Sequence, residues 1–166
     1  MGKYTKILRA ASAGSDFTVT DHQALPSITE FQTIATYKCP AQTKIAVGYG
    51  TPTQPDSAGH IYVFLKTGEA TPVEILGKLR VIVTNFAGTK QVVLAEHDES
   101  VLHGSQTDRK LMLQLAEKRP MIKQDDYIKV QIMPAAAHVA AGATADNVGW
   151  GAATESLIQL PITVYD

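Results

Sequence analysis

Leu79-Arg80-Val81-Ile82-Val83-Thr84, then Asn85-Phe86-Ala87-Gly88, then Thr89-Lys90-Gln91-Val92-Val93-Leu94-Ala95-Glu96: two β-branched runs flank a short segment holding Asn and Gly. Branched side chains suit a pleated surface, and Asn and Gly tolerate the positive φ of a tight reversal. The stretch reads as a β-hairpin. Leu79, Val81 and Val83 share a face of its first arm, and Val92 and Leu94 share a face of its second. Arg80, Thr84, Lys90 and Gln91 fall on the other side or at the ends.

Similar runs recur on both sides of the hairpin. Upstream, Phe31 to Cys39 alternates, with Phe31, Thr33, Ala35, Tyr37 and Cys39 on one side, and stops at Pro40. Thr43, Ile45, Val47 and Tyr49 form a second run, and the Pro- and Asp-bearing stretch 50–59 is a loop by composition. His60 to Lys66 is the third, apolar on both sides: Ile61, Val63 and Leu65 on one, Tyr62 and Phe64 on the other. Such a strand is either central or covered by another subunit, so Tyr62 and Phe64 are interface candidates.

The hairpin supplies the fourth and fifth strands. His97 to Asp108 is polar and turn-rich, compatible with a short helix. Lys110 to Glu117 is the sixth run; its Leu, Met, Lys and Glu would suit a helix, but the strict alternation of Leu111, Leu113 and Leu115 predicts a strand. Ile128, Val130 and Ile132 mark the seventh. Residues 134–154 form an Ala/Gly-rich connection holding Ala141, Val148 and Trp150. Connections this long in a compact domain are often functional, and Trp contributes large burial at interface centres, so these three join the interface candidates. Glu155 to Tyr165 closes the series with Ile158, Leu160, Ile162 and Val164; Pro161 cannot donate to a ladder, which predicts a bulge or an exposed edge there. Eight strands with no long helix and no repeat predict an all-β fold, an eight-stranded antiparallel β-sandwich or jelly roll.

The 166 residues suffice for one domain with a proper core, and 45% are hydrophobic. Lys and Arg number 15 against 16 Asp and Glu, which gives no support to nucleic-acid binding. The single Cys39 excludes an intrachain disulfide framework and a multi-Cys zinc site. No apolar run reaches membrane-spanning length, and Arg9 interrupts the one candidate for a signal-peptide core, so the expected setting is the inside of a cell. Residues 1–30 show no sustained period and read as an N-terminal arm before a domain at 31–166. Lys3, Lys6 and Arg9 would let the arm reach a partner subunit or a lipid surface; a loosely packed terminus is the plainer alternative.

No catalytic set emerges. His97 and His103 with Glu96 and Asp98 come nearest to a metal cluster, but the His-x-His pair of a cupin is missing. Asp98-Glu99 and Asp125-Asp126 are adjacent acids, and adjacency does not place two carboxylates across a cleft. Cys39 reads as a buried, inert thiol. The expectation is a protein that is not an enzyme and needs neither metal nor cofactor. A carbohydrate-binding module would need an exposed row of aromatics, for which Tyr37, Tyr49, Tyr62 and Trp150 are the candidates.

Three stretches carry a resemblance: Phe31-Gln32-Thr33-Ile34-Ala35-Thr36-Tyr37 followed by Pro40-Ala41-Gln42-Thr43-Lys44-Ile45, then His60-Ile61-Tyr62-Val63-Phe64-Leu65, then Leu157-Ile158-Gln159-Leu160-Pro161-Ile162. Over about residues 31–165 the chain resembles the single jelly-roll major capsid proteins of icosahedral viruses with an internal membrane. These viruses infect thermophilic bacteria and haloarchaea, and the near-neutral charge favours the thermophile side. The resemblance implies two four-stranded sheets, with strands one, eight, three and six in one and two, seven, four and five in the other. It also implies a virion subunit, assembled in the host cytoplasm, that binds copies of itself, a second capsid protein and a lipid surface. A spike or decoration subunit, or a carbohydrate-binding sandwich, stays open as the alternative.

Overall fold

In the computed structural model the hairpin forms, and it is longer than the sequence indicates. The structure describes residues 2–10, 16–19, 23–24, 30–48, 59–67, 75–102, 108–116, 119–134, 147–149 and 157–166; within these, it describes the backbone alone at 19, 23–24, 64–67, 75–76, 99–102, 108–110, 134, 147–149 and 157. The described strands are β1 (Lys3–Ala10), β2 (Thr18–Val19), β3 (Gln23–Ala24), β4 (Gln32–Lys38), β5 (Lys44–Val47), β6 (His60–Thr67), β7 (Ile75–Thr84), β8 (Gln91–Leu102), β9 (Asp108–Gln114), β10 (Tyr127–Pro134), β11 (Asn147–Gly149) and β12 (Leu157–Tyr165). The polar stretch after His97 extends β8 to Leu102, because β7 offers it a ladder back to Ile75. The Ala/Gly-rich connection holds a short strand, β11, between β3 and β6.

Two antiparallel sheets face each other. One has seven strands, with β1, β12, β6 and β9 side by side; the other has the order β2-β4-β10-β7-β8. Taken in chain order, the eight longest strands pair as one-eight-three-six and two-seven-four-five, which is jelly-roll order. The strands filling the first two places differ from expectation. Lys3–Ala10, inside the segment read as an arm, is the first; it pairs with β12 along its whole length, from Lys3↔Tyr165 to Ala10↔Ile158. Gln32–Lys38 is the second, and Lys44–Val47 is an added strand beside β12.

That added strand explains Pro161, which is buried and lies on no exposed edge. Along one edge of β12, residues 157–159 pair with β6 and residues 162–165 with β5. The Pro161 carbonyl accepts from Gly48 N–H at 2.8 Å, on the β5 side. A residue's N–H and C=O point to the same side of a strand, so the donor that Pro161 lacks falls at the junction between β6 and β5.

Between the sheets, Leu8, Ile61, Val63, Leu111, Leu113, Leu160 and Ile162 meet Ile34, Leu79, Val81, Ile128, Val130 and Ile132 in one apolar cluster. Two bulges adjust the alternation. In β4 the register skips Ile34, so Ala35 stays inside while Thr33 faces outward beside Gln131. In β8 it skips Leu94, so Ala95 lies opposite Val81 and Glu96 turns outward opposite Arg80. The freed Leu94 carbonyl accepts from Ala116 N–H at 2.7 Å, tying the two sheets together at their edge.

Candidate interaction surfaces

The hairpin tip forms one end of the sandwich. Gly88 takes φ 72°, and its N–H donates to the Asn85 carbonyl at 3.0 Å. The Asn85 side chain accepts from Lys90 N–H at 3.0 Å and donates to Thr89 Oγ1 at 2.9 Å. This locked turn holds Phe86 out, 68% exposed. Its ring stacks on Tyr127 at 6.4 Å, and Lys38 Nζ lies 5.5 Å from the ring centre. Val92 and Met121 are also exposed, and both border a cleft of about 330 Å³ with Thr84, Lys90, Pro120 and Lys123. Thus three of the five large apolar side chains exposed among the described residues lie about the hairpin turn, Val92 and Met121 on the cleft and Phe86 against Tyr127, bordered by Lys38, Lys90 and Lys123 and by the acids Asp125 and Asp126. Clustering of this kind, rather than scattered exposure, marks an interaction site.

The backbone beneath this end is stitched. Ile45 and Ile122 exchange two bonds of 2.8 Å, and Cys39 N–H donates to the Asp126 carbonyl at 2.9 Å. Cys39 is buried, as expected, with Sγ 3.6 Å from the Thr43 carbonyl. Burial, then Asp126 and Asp125, push its thiol up to about 11, and burial, then Cys39, push Tyr37 up to about 12. Both groups are neutral below these values. Their contribution to stability is fully present below the unfolded values of 9.0 and 10.0 and is lost as pH rises through about 11 and 12. The urea midpoint is therefore expected to hold from pH 7 to about 9 and fall steadily above, with Cys39 unreactive toward thiol reagents until the chain unfolds. A flat midpoint up to pH 11 would contradict this.

The outer face of the β1-β12-β6-β9 sheet has a different character. The pairing register places Lys3, Ile7, Arg9, Lys44, Tyr62 and Met112 on it, and among its described side chains there is no acid. Lys3 Nζ lies 5.7 Å from the Tyr165 ring centre. Lys6 does not share this face: its ammonium binds Asp16 at 2.9 Å, and the other Asp16 oxygen accepts from Arg9 N–H. The three cations read together from sequence are thus divided, two on the face and one spent in folding the chain back. Tyr62 is half-buried there, beside Met112 at 58% exposure.

Of the other candidates, Trp150 and Ala141 lie outside the described residues, as do the side chains of Phe64 and Val148. Tyr37 points inward against Phe17, at 5.7 Å, and Tyr62 outward on the opposite sheet, so these two do not form one row. His97 is half-buried on β8, His103 lies outside the described residues, and no metal-holding group occurs among the described ones. Sequence reading missed Phe86, Val92 and Met121. The available signal was an aromatic placed within a turn, where nothing local requires one.

The outer face of the β2-β4-β10-β7-β8 sheet carries a hydrogen-bonded row. Arg80 Nε donates to Gln131 Oε1 at 2.8 Å, and Gln131 Nε2 donates to Thr33 Oγ1 at 3.0 Å. The Arg80 guanidinium lies 3.7 Å from the Phe31 ring centre. Burial lowers its pKa, and Glu96, opposite it in the ladder, works the other way.

These strands define a jelly-roll β-sandwich. No protein-family model matches the chain, and no curated protein sequence does. Six chains among solved structures match. One, from the structure of infectious bursal disease virus Gx strain, is 14% identical with a TM-score of 0.38, covering 97% of this chain and 33% of that one. Another, from the Gt strain, is 15% identical with a TM-score of 0.38, covering 96% and 32%. A third, from arabinose-bound MgGH51 α-L-arabinofuranosidase, is 14% identical with a TM-score of 0.33, covering 86% and 18%. The chain spans about a third of the length of the virus chains it resembles. Likenesses this distant carry no argument about activity or partners.

Proposed function

We propose that the chain is a structural virion protein, a single jelly-roll capsid subunit that does no chemistry and works by repeated association with copies of itself in an icosahedral shell. The observation that carries this reading is the apolar end formed by Phe86, Val92 and Met121 with a charged border of lysines and of Asp125 and Asp126, held on a stitched turn and a continuous core. An apolar centre with a polar rim on a rigid body is the anatomy of a protein interface. Assembly takes place in the host cytoplasm, beside a second capsid protein. Lipid contact belongs to the same proposal and is supported by Lys3 and Arg9 on a face without described acids. Cations on such a face attract anionic headgroups.

Light scattering of the purified chain over concentration and salt, followed by electron microscopy, tests the reading. Shells, sheets or tubes of the subunit are expected, with co-flotation on phosphatidylserine vesicles that weakens in Lys3→Glu/Arg9→Glu. A monomer under every condition, or a closed oligomer of fixed small mass as in a spike, would overturn the shell role. Equal flotation of the variant would overturn the lipid contact alone.

A further inference from the structure

We infer that the outer face of the β2-β4-β10-β7-β8 sheet docks on the same face of a second copy, about a two-fold axis running along the strands between β7 and β8. Arg80 of each copy then meets Glu96 of the other, and Lys78 meets Asp98. The inference rests on the self-association proposed above and names one of its contacts.

The pairing register supplies the argument. Across the β7–β8 ladder, Lys78 stands opposite Asp98 and Arg80 opposite Glu96, all four on the outer face, while Ile82 next along β7 is already buried within the chain. A two-fold rotation about an axis parallel to these strands exchanges β7 for β8 and keeps each residue's height. Lys78 and Arg80 therefore each land on the acid of their own row in the partner. A surface whose cations and acids exchange places under such a rotation is self-complementary, which an isologous contact requires.

Within one chain these charges stay apart. Neither Arg80 with Glu96 nor Lys78 with Asp98 closes into an ion pair, although opposite charges facing each other across a ladder ordinarily attract. Arg80 instead turns away from Glu96, stacks on Phe31 and bonds Gln131 through Nε. Its two terminal nitrogens remain for a carboxylate from outside, in a fork already fixed in place. Glu96 is exposed on β8, at the edge of the sheet, where it is able to lean toward a guanidinium beyond that edge. A pre-positioned fork loses little freedom on binding, and charge pairs of this kind set register and partner choice.

The test is a charge exchange, read by sedimentation across a concentration series. Arg80→Glu and Glu96→Arg are each expected to raise the dimer dissociation constant at least about tenfold, since every swap puts like charges together at two symmetric places. The double variant is expected to recover wild-type association, and added salt to weaken the wild-type dimer. Thermal melts confirm that each variant is folded, and the milder Glu96→Gln should give an intermediate loss. Particles or dimers that form equally well in both single variants would overturn the contact while leaving the shell reading standing. A charge-dependent dimer that never grows into larger assemblies would uphold the contact and overturn the shell.

Discussion

Deleting residues 1–10 is expected to unfold the domain or leave it barely stable. β1 lies against β12 for eight consecutive residue pairs, and Leu8 and Ala10 are buried in the common core. Their loss opens the apolar face of Ile158, Leu160 and Ile162 and turns β12, now internal, into an edge. Burying a leucine contributes roughly 2 kcal/mol, and cutting a buried leucine to alanine costs about 2–5 kcal/mol. Removal of the whole strand exceeds that, and whole domains are stable by only about 5–15 kcal/mol. Urea denaturation of the truncated chain should therefore show a lost or greatly lowered midpoint, with Leu8→Ala lowering it partway. An unchanged midpoint after truncation would mean that the segment is a free arm and that β1 adds nothing to the sandwich.

Why the first strand escapes sequence reading is a matter of period. Lys3, Lys6 and Arg9 recur every third residue and mask the alternation of Leu8 and Ala10, which are buried only at the strand's far end. Cations on an exposed edge also discourage strand pairing between molecules, so the residues that hide the strand suit its position. Where alternation is unbroken the faces are legible: Ile61 with Val63, Leu111 with Leu113 and Leu115, and Ile128 with Val130 and Ile132 are all buried. At Ile34 and Leu94 the bulges shift the pattern by one residue, and no local signal in either strand marks the shift. Pro161 looked like an edge because a sequence does not reveal that one neighbour will hand over to another at that residue. Surfaces are the least legible. The exposure of Phe86 depends on the Asn85 turn, and the Arg80–Glu96 opposition depends on the bulge at Leu94; both are consequences of register.

The larger effect on assembly is expected from Phe86→Asp combined with Met121→Asp. Phe86 projects from the tip and touches Tyr127 on one side, and Met121 is exposed, so neither supports the core. The melting temperature should move by only a few degrees, as exposed substitutions usually change stability by about 0.5 kcal/mol or less. Association is another matter. Covering one such side chain at an interface contributes about 1.5–3 kcal/mol, and each 1.4 kcal/mol is about tenfold in affinity. Two lost anchors, each replaced by a carboxylate that must be stripped of water, should raise the concentration needed for assembly by at least about a hundredfold. A subunit in a shell makes this contact repeatedly, so the loss is multiplied around the particle and growth should stop altogether at ordinary concentrations. Light scattering gives the threshold, and electron microscopy gives the product. If the folded double variant built the same particles at the wild-type threshold, the apolar end would be an exposed tip and no interface, and the proposed role would lose its main support.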